Sequence, residues 1–241
     1  GARTSLAVTE IRAEQPEVVI YRNNAADLAL QPGDIDEAYI ASARMLLVSG
    51  TALCASPSRE ATLLAMDYAR QNDTMVVLDM DYRAYSWESQ EAPTIYYNLA
   101  ASKSHIIIGN REEFDVLEYL DNTHRNDEEL AKRYLCEPTQ IVIIKDGANG
   151  SNTYSTEGVF KQGIFPVDVK KPFGAGDAFA GSVMLALLNQ HSLEEAVAMG
   201  SAAANVAQIA RPAPRAKRCA LRRVAKKNSV IILETIPLIP V

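Results

Sequence analysis

Short apolar runs bounded by polar turns alternate along this chain with longer stretches in which apolar residues recur at helical spacing. VVIYR (18–22), MLLVSG (45–50), MVVLD (75–79), HIIIG (105–109) and QIVIIK (140–145) have the length and the Val/Ile enrichment of strands. Between them, DIDEAYIASAR (34–44) reads as a helix with Asp34 as N-cap, and SPSREATLLAMDYARQN (56–72) as a helix opened by a serine-proline cap region. REEFDVLEYLD (111–121) and DEELAKRYLC (127–136) continue the pattern. Strand–helix alternation of this kind predicts an α/β fold: a mostly parallel sheet with helices on both faces, three layers in all. Ligands in such sheets bind at the carboxyl ends of the strands.

The rhythm changes after Lys145. SNTYSTEGVFKQGIFPVDV has short β-like pieces joined by glycine turns and no room for a helix, which predicts a meander at the sheet edge. Two helices follow, from about Asp177 to Asn189 and over 192–210. The second opens with Ser192 and Glu195, a capping-box spacing. Both are rich in Ala, Gly and Ser, so their backbones can approach a neighbour or a ligand closely.

Composition narrows the class. The chain has 241 residues, 48% hydrophobic and 22% charged, ordinary for a globular domain with a substantial core. No apolar run is long enough for a membrane span, and the N-terminal stretch lacks the pattern of a signal peptide. Cys54, Cys136 and Cys219 are far apart and form no CxxC pair, which predicts free thiols and a cytoplasmic location. Net charge is −6, yet residues 211–227 hold eight Lys or Arg and no acid, so the rest is more acidic still. A body of that sign repels nucleic acid. The basic segment is read as a solvated tail; polyanion binding through it would rest on charge alone.

The chemistry gathers at strand ends. KKPFGAGDAFAGS (170–182) sets Gly174, Ala175 and Gly176 before Asp177 at the start of a helix. Such a turn aims unpaired backbone N–H groups at one point with the positive end of the helix dipole behind them. Asp177 in the first turn can take a proton from an attacking hydroxyl; a plain glycine turn with a dipole-favoured aspartate is the alternative. Asn110 and Glu113 follow a strand and could orient water on Mg²⁺, or Glu113 could be a first-turn helix acid. Lys145, Gly147 and Gly150 make a glycine turn at the end of the next strand. Asp79, Asp81 and Arg83 stand at the end of MVVLD, as part of the same rim or as a mutually paired group.

The order N-x-x-E, K-x-G-x-x-G and PFGAGDAFAG resembles the PfkB (ribokinase-like) family of carbohydrate kinases over roughly residues 3–207. YRNNAADLAL and LDMDYRAYSW resemble, within it, the subgroup acting on 5-dehydro-2-deoxy-D-gluconate in myo-inositol catabolism. The resemblance implies a kinase domain over 1–210, with lid strands near 4–22, followed by an atypical tail over 211–241. It implies ATP and Mg²⁺, a small sugar-acid substrate and a homodimer through the lid. Asp177 becomes the catalytic base, and Gly174, Ala175 and Gly176 the anion hole. Lys145, Gly147, Gly150 and Ser201 become nucleotide contacts. Asn110 and Glu113 lie at the Mg²⁺–phosphate region, acting through water, and Arg83, Asp79 and Asp81 near substrate or phosphate.

The chain also departs from the family pattern. A leading strand and substrate-contacting region that family members carry ahead of TSLAVTEI is absent, so truncation is expected. Lys171 stands where many relatives have a cation-binding aspartate, so potassium activation is not expected. Beyond about Ala207 the resemblance stops. Another PfkB sugar kinase, such as a 2-keto-3-deoxygluconate kinase or a ribokinase, and an inactive fragment of such a kinase are the competing readings.

Overall fold

The computed structural model of the chain describes residues 1–10, 17–121, 125–165, 174–209 and 230–233. Lys171 and the 211–229 and 234–241 parts of the predicted tail lie outside the described residues.

The Val/Ile-rich runs form strands where the pattern predicts them: β3 (Met45–Ser49), β4 (Met75–Asp79), β5 (Ile106–Asn110) and β6 (Ile141–Lys145). These four pair in parallel in sequence order. β7 (Ser151–Ser155) then returns antiparallel beside β6, and β8 (Gly158–Gln162) beside β7, which is the predicted edge meander. A short β9 (Val230–Leu233), from the segment read as tail, pairs antiparallel with β3 and completes a seven-stranded sheet in the order β8-β7-β6-β5-β4-β3-β9. β1 (Leu6–Glu10) and β2 (Glu17–Tyr21) form a separate antiparallel ribbon.

Helices cover both faces, giving the expected three layers. On one face lie α1 (Glu37–Ala41), α2 (Ser58–Gln71), α3 (Glu91–Ala101), α4 (Arg111–Glu118) and α5 (Asp127–Tyr134). Their Ala65, Met66, Tyr97, Phe114 and Leu130 pack on Leu46, Val48, Leu78, Ile107 and Ile144 of the strands. On the other face α6 (Ala175–Leu188) and α7 (Leu193–Ile209) set Phe179, Val183, Met184 and Val197 against Met45, Val77, Ile106, Ile108 and Ile143. Side chains alternate faces along a strand, so burial on both sides explains why the strands read as continuous apolar runs rather than alternating ones.

Several helix boundaries differ from expectation, each for a local reason. The N-cap of α1 is Asp36, whose Oδ1 accepts from the Tyr39 backbone N–H at 3.2 Å, because Pro32–Asp34 form a separate 3₁₀ turn in which Asp34 bonds back to Gln31. Pro57 occupies the N-cap position of α2, which therefore lacks a side-chain cap there, and the Ser58 hydroxyl is buried without a partner among the described residues. The periodicity of α3 is hidden in the sequence by Pro93 and by a run of aromatic and small residues. Its buried set, Pro93, Thr94, Tyr97, Ala100 and Ala101, falls on one helical face. The Ser192–Glu195 capping box forms, with reciprocal bonds of 3.0 and 3.2 Å. Tight packing fixes one turn: a Cβ on Gly50 would lie 2.1 Å from the Met80 carbonyl and 2.3 Å from the Tyr97 ring.

Candidate active site

The alternation that buries Val77, Ile108 and Ile143 against α6 brings the residue two further along each strand to the same face, at the sheet's carboxyl edge. Those residues are Asp79, Asn110 and Lys145. Ser151, the first residue of β7, is the cross-strand partner of Lys145. A row of polar groups therefore crowns the apolar sheet below.

Above this row stands the amino end of α6. Its N-cap, Gly174, has φ +85°, a left-handed conformation that favours glycine, and no side chain caps the helix. Among the described residues no side chain bonds the first-turn N–H groups, so they can face an external partner, and Asp177 sits among them. Lys145 Nζ lies 3.6 Å from where a Cβ on Gly176 would be, so the ammonium reaches the helix mouth from the strand below. The floor at one side is the turn after β6, a 3₁₀ turn over Gly147–Asn149 closed by Asp146 N–H donating to the Gly150 carbonyl at 2.7 Å. Gly150 has φ +92°, and a Cβ there would meet the Gln162 carbonyl at 2.0 Å.

The acids are not equivalent. Asp79 is 7% exposed, and its carboxyl is pushed up to about 6. Burial is the main cause, opposed by Lys145 at 3.8 Å and reinforced by the negative charges of Glu113, Asp81 and Asp177. Asp81 is also raised by burial, against the pull of Arg83 at 2.6 Å and a bond of 3.1 Å from the Ser49 hydroxyl. Its backbone has φ +34°, an unusual conformation for a residue with a side chain. Asn110 and Glu113 cap α4 reciprocally: Glu113 N–H donates to Asn110 Oδ1 at 2.8 Å, and Asn110 N–H to Glu113 Oε2 at 2.7 Å. Glu113 Oε1 faces Arg83 at 4.0 Å. Among the described residues no group of three or more His, Cys, Asp or Glu forms a metal-binding cluster.

All thirteen residues singled out from the sequence line one cleft of about 480 Å³: Asp79, Asp81, Arg83, Asn110, Glu113, Lys145, Gly147, Gly150, Gly174, Ala175, Gly176, Asp177 and Ser201. Ser201 is nearly buried, and its hydroxyl donates to the Gly163 carbonyl at 3.2 Å. Sequence reasoning missed Ser151, Asn205 and Phe179 in the lining, and Ser49 behind it. Ser49 is cross-strand partner of Asp79 and Ser151 follows Gly150 directly, so both were findable as strand-end polar residues. The Ser151 hydroxyl is buried and has no hydrogen-bond partner among the described residues.

A mostly parallel sheet whose carboxyl edge faces a glycine-led helix start with an acid in its first turn is the arrangement of a carbohydrate kinase class, and the chain belongs to it: the pfkB family carbohydrate kinase model matches residues 1–210. Among curated relatives, the chain is 53% identical over 208 residues to the 5-dehydro-2-deoxygluconokinase of Photobacterium profundum, covering 86% of this chain and 63% of that protein. It is 49% identical over 208 residues to the protein of the same name from Geobacillus kaustophilus, covering 86% and 62%. The chain thus spans less than two thirds of the length of these relatives. Among solved structures, a PfkB protein from Polaromonas sp. JS666 aligns with a TM-score of 0.75 at 27% identity, over 86% of this chain and 67% of that one. A fructokinase double mutant from Vibrio cholerae O395, in fructose, ADP and potassium ion bound form, shares the fold with a TM-score of 0.75 at 22% identity, over 88% and 68%.

Proposed function

We propose that the chain carries the phosphoryl-transfer site of an ATP-dependent kinase for 5-dehydro-2-deoxy-D-gluconate. The observation that carries this reading is Asp177 in the first turn of an uncapped helix, at a cleft that Lys145 enters from the facing strand. Phosphoryl transfer asks the protein mainly for positioning and charge stabilisation. The free N–H groups of Gly174, Ala175 and Gly176 receive the charge of the transferring group, with the helix dipole behind them. Asp177 accepts the proton of the attacking sugar hydroxyl. The 53% identical relative bears the name of this activity, which supports the choice of sugar acid.

The remaining polar groups divide between nucleotide and substrate. Lys145, Gly147 and Gly150 line the nucleotide phosphates, and the unpartnered Ser151 hydroxyl fits an acceptor there. Ser201 borders the base through its backbone, since its hydroxyl is already bonded to Gly163. Arg83 serves the substrate or phosphate anion. Mg²⁺, when bound with the nucleotide, neutralises phosphate oxygens. Asn110 and Glu113 suit contact with it through water: one Glu113 oxygen caps α4 and the other stays open to the cleft, while the Asn110 amide oxygen, engaged with one cap bond, keeps a second lone pair for a bound water. A second copy of the chain pairs through the β1–β2 ribbon, where Leu6 and Val8 are exposed, and the enzyme works in the cytoplasm.

The test is ADP release from ATP–Mg²⁺ with and without 5-dehydro-2-deoxygluconate, beside the Asp177→Asn variant. Sugar-dependent turnover that falls about a thousandfold in the variant supports the assignment. Turnover unchanged in the variant refutes Asp177 as the base. Turnover with a different keto sugar acid and none with this one refutes the substrate.

A further inference from the structure

Asp79 reaches the cleft with only a small part of its surface, yet it lies at the centre of the site's charge. Its carboxylate is almost buried, it has three acids as electrostatic neighbours, and Lys145 is its ion-pair partner among the described residues. Arg83, the other nearby cation among the described residues, faces Asp81 at 2.6 Å and Glu113 at 4.0 Å.

Lys145 itself is held in an awkward place. Its ammonium lies close to Gly176 in the first turn of α6, where the helix presents its positive end and its unpaired N–H groups. Two positive groups sharing one mouth repel each other, and a flexible four-carbon stem lets the ammonium swing away toward water. What opposes that swing is the Asp79 carboxylate 3.8 Å behind it. The next strand supplies the complementary wall: Ser151, opposite Lys145, offers a hydroxyl and no charge.

We propose that Asp79 is a positioning residue: its carboxylate pins the Lys145 ammonium at the amino end of α6, so that ammonium and helix N–H groups face the nucleotide phosphates as one anion site. This inference rests on the kinase reading only for the identity of the anion. The pinning itself is a property of the chain's own residues. Asp79 then contributes to nucleotide affinity through Lys145 and touches no ligand.

Two measurements test it. The first is the rate at which an amine-acylating reagent modifies Lys145, followed by peptide mass spectrometry at one fixed pH, in the native chain and in Asp79→Asn and Asp79→Glu. Expected is a several-fold faster modification in Asp79→Asn, with Asp79→Glu nearer the native rate. The second is calorimetric titration with ADP–Mg²⁺ of the native chain, Asp79→Asn, Lys145→Met and the double variant, each checked for a cooperative melt. Asp79→Asn is expected to weaken binding about tenfold, and that penalty is expected to vanish in the Lys145→Met background. An unchanged modification rate overturns the proposal. So does a tenfold penalty that persists without Lys145, which would make Asp79 a direct ligand of nucleotide or metal. If the native chain binds no ADP, the kinase reading fails, while the modification rates still decide the pinning.

Discussion

Neutralising Asp79 should make the unliganded protein more stable while harming its site. Burial raises the folded-state carboxyl from 3.8 to about 6, a value that already includes the attraction of Lys145. A raised value means that the folded chain binds the proton more tightly than the unfolded chain does. The group's contribution is therefore most favourable below about pH 4, declines as pH rises toward 6, and stays at its full cost above that. The shift corresponds to roughly 3 kcal/mol at pH 8. Asn has nearly the shape of the protonated carboxyl and no charge, so Asp79→Asn should gain about 3 kcal/mol at pH 8 and about half of that at pH 5, where the unfolded carboxyl is still largely ionised. For a chain of this size the gain at pH 8 is on the order of 6–12 °C in melting temperature. Scanning calorimetry of both proteins at pH 5 and pH 8, without ligand, measures it. An Asn variant that melts at or below the native temperature at pH 8 would show that Lys145 outweighs the burial cost, and would refute the reasoning.

Three further outcomes follow from the same structure. Gly150→Ala should cost more than about 2 kcal/mol, read as a lower urea midpoint, since φ +92° and the Gln162 carbonyl at 2.0 Å leave no place for a methyl group. Glu118, 1% exposed, meets Arg125 at 2.6 Å and Arg111 at 3.3 Å, so Glu118→Ala should lose about 3 kcal/mol in the same assay, more than truncating any surface-exposed pair. Tyr97→Phe removes a buried hydroxyl that donates to the Met80 carbonyl at 2.7 Å, and should cost about 1–2 kcal/mol by chemical denaturation; no change would mean that the carbonyl finds another donor.

Much of this arrangement is legible in the sequence because the groups are contiguous with elements whose period is clear. MVVLD, HIIIG and QIVIIK each end at the strand's carboxyl end, so the polar residues that follow had to meet at one rim. The glycine turn before Asp177 announced a helix start with open N–H groups. What stayed hidden depended on tertiary context. The helix α3 carries Pro93 in its first turn and few charged residues, so its period is faint until the sheet supplies the surface that buries Tyr97 and Ala100. Nothing in VIIL says that it pairs with β3, since strand pairing is a long-range choice. The cap of α1 passed from Asp34 to Asp36 because the proline turn before it took Asp34 for itself.

The reversal of direction between β6 and β7 has a consequence for how this site can change. In a parallel sheet the chain leaves the ligand edge after each strand and returns through a helix, so a loop there can lengthen without disturbing the next strand's register. Here five residues join Lys145 to Ser151, and both stay at the ligand edge. Along β7, Tyr154 belongs to the core beneath α5, while Ser151 takes the opposite face and lines the cleft. One inserted residue in that turn would slip the register and exchange the two faces, sending Tyr154 toward the nucleotide side and Ser151 into the core beneath α5. The length of this turn is thus a shared dimension of core and cleft, and selection on either one constrains the other.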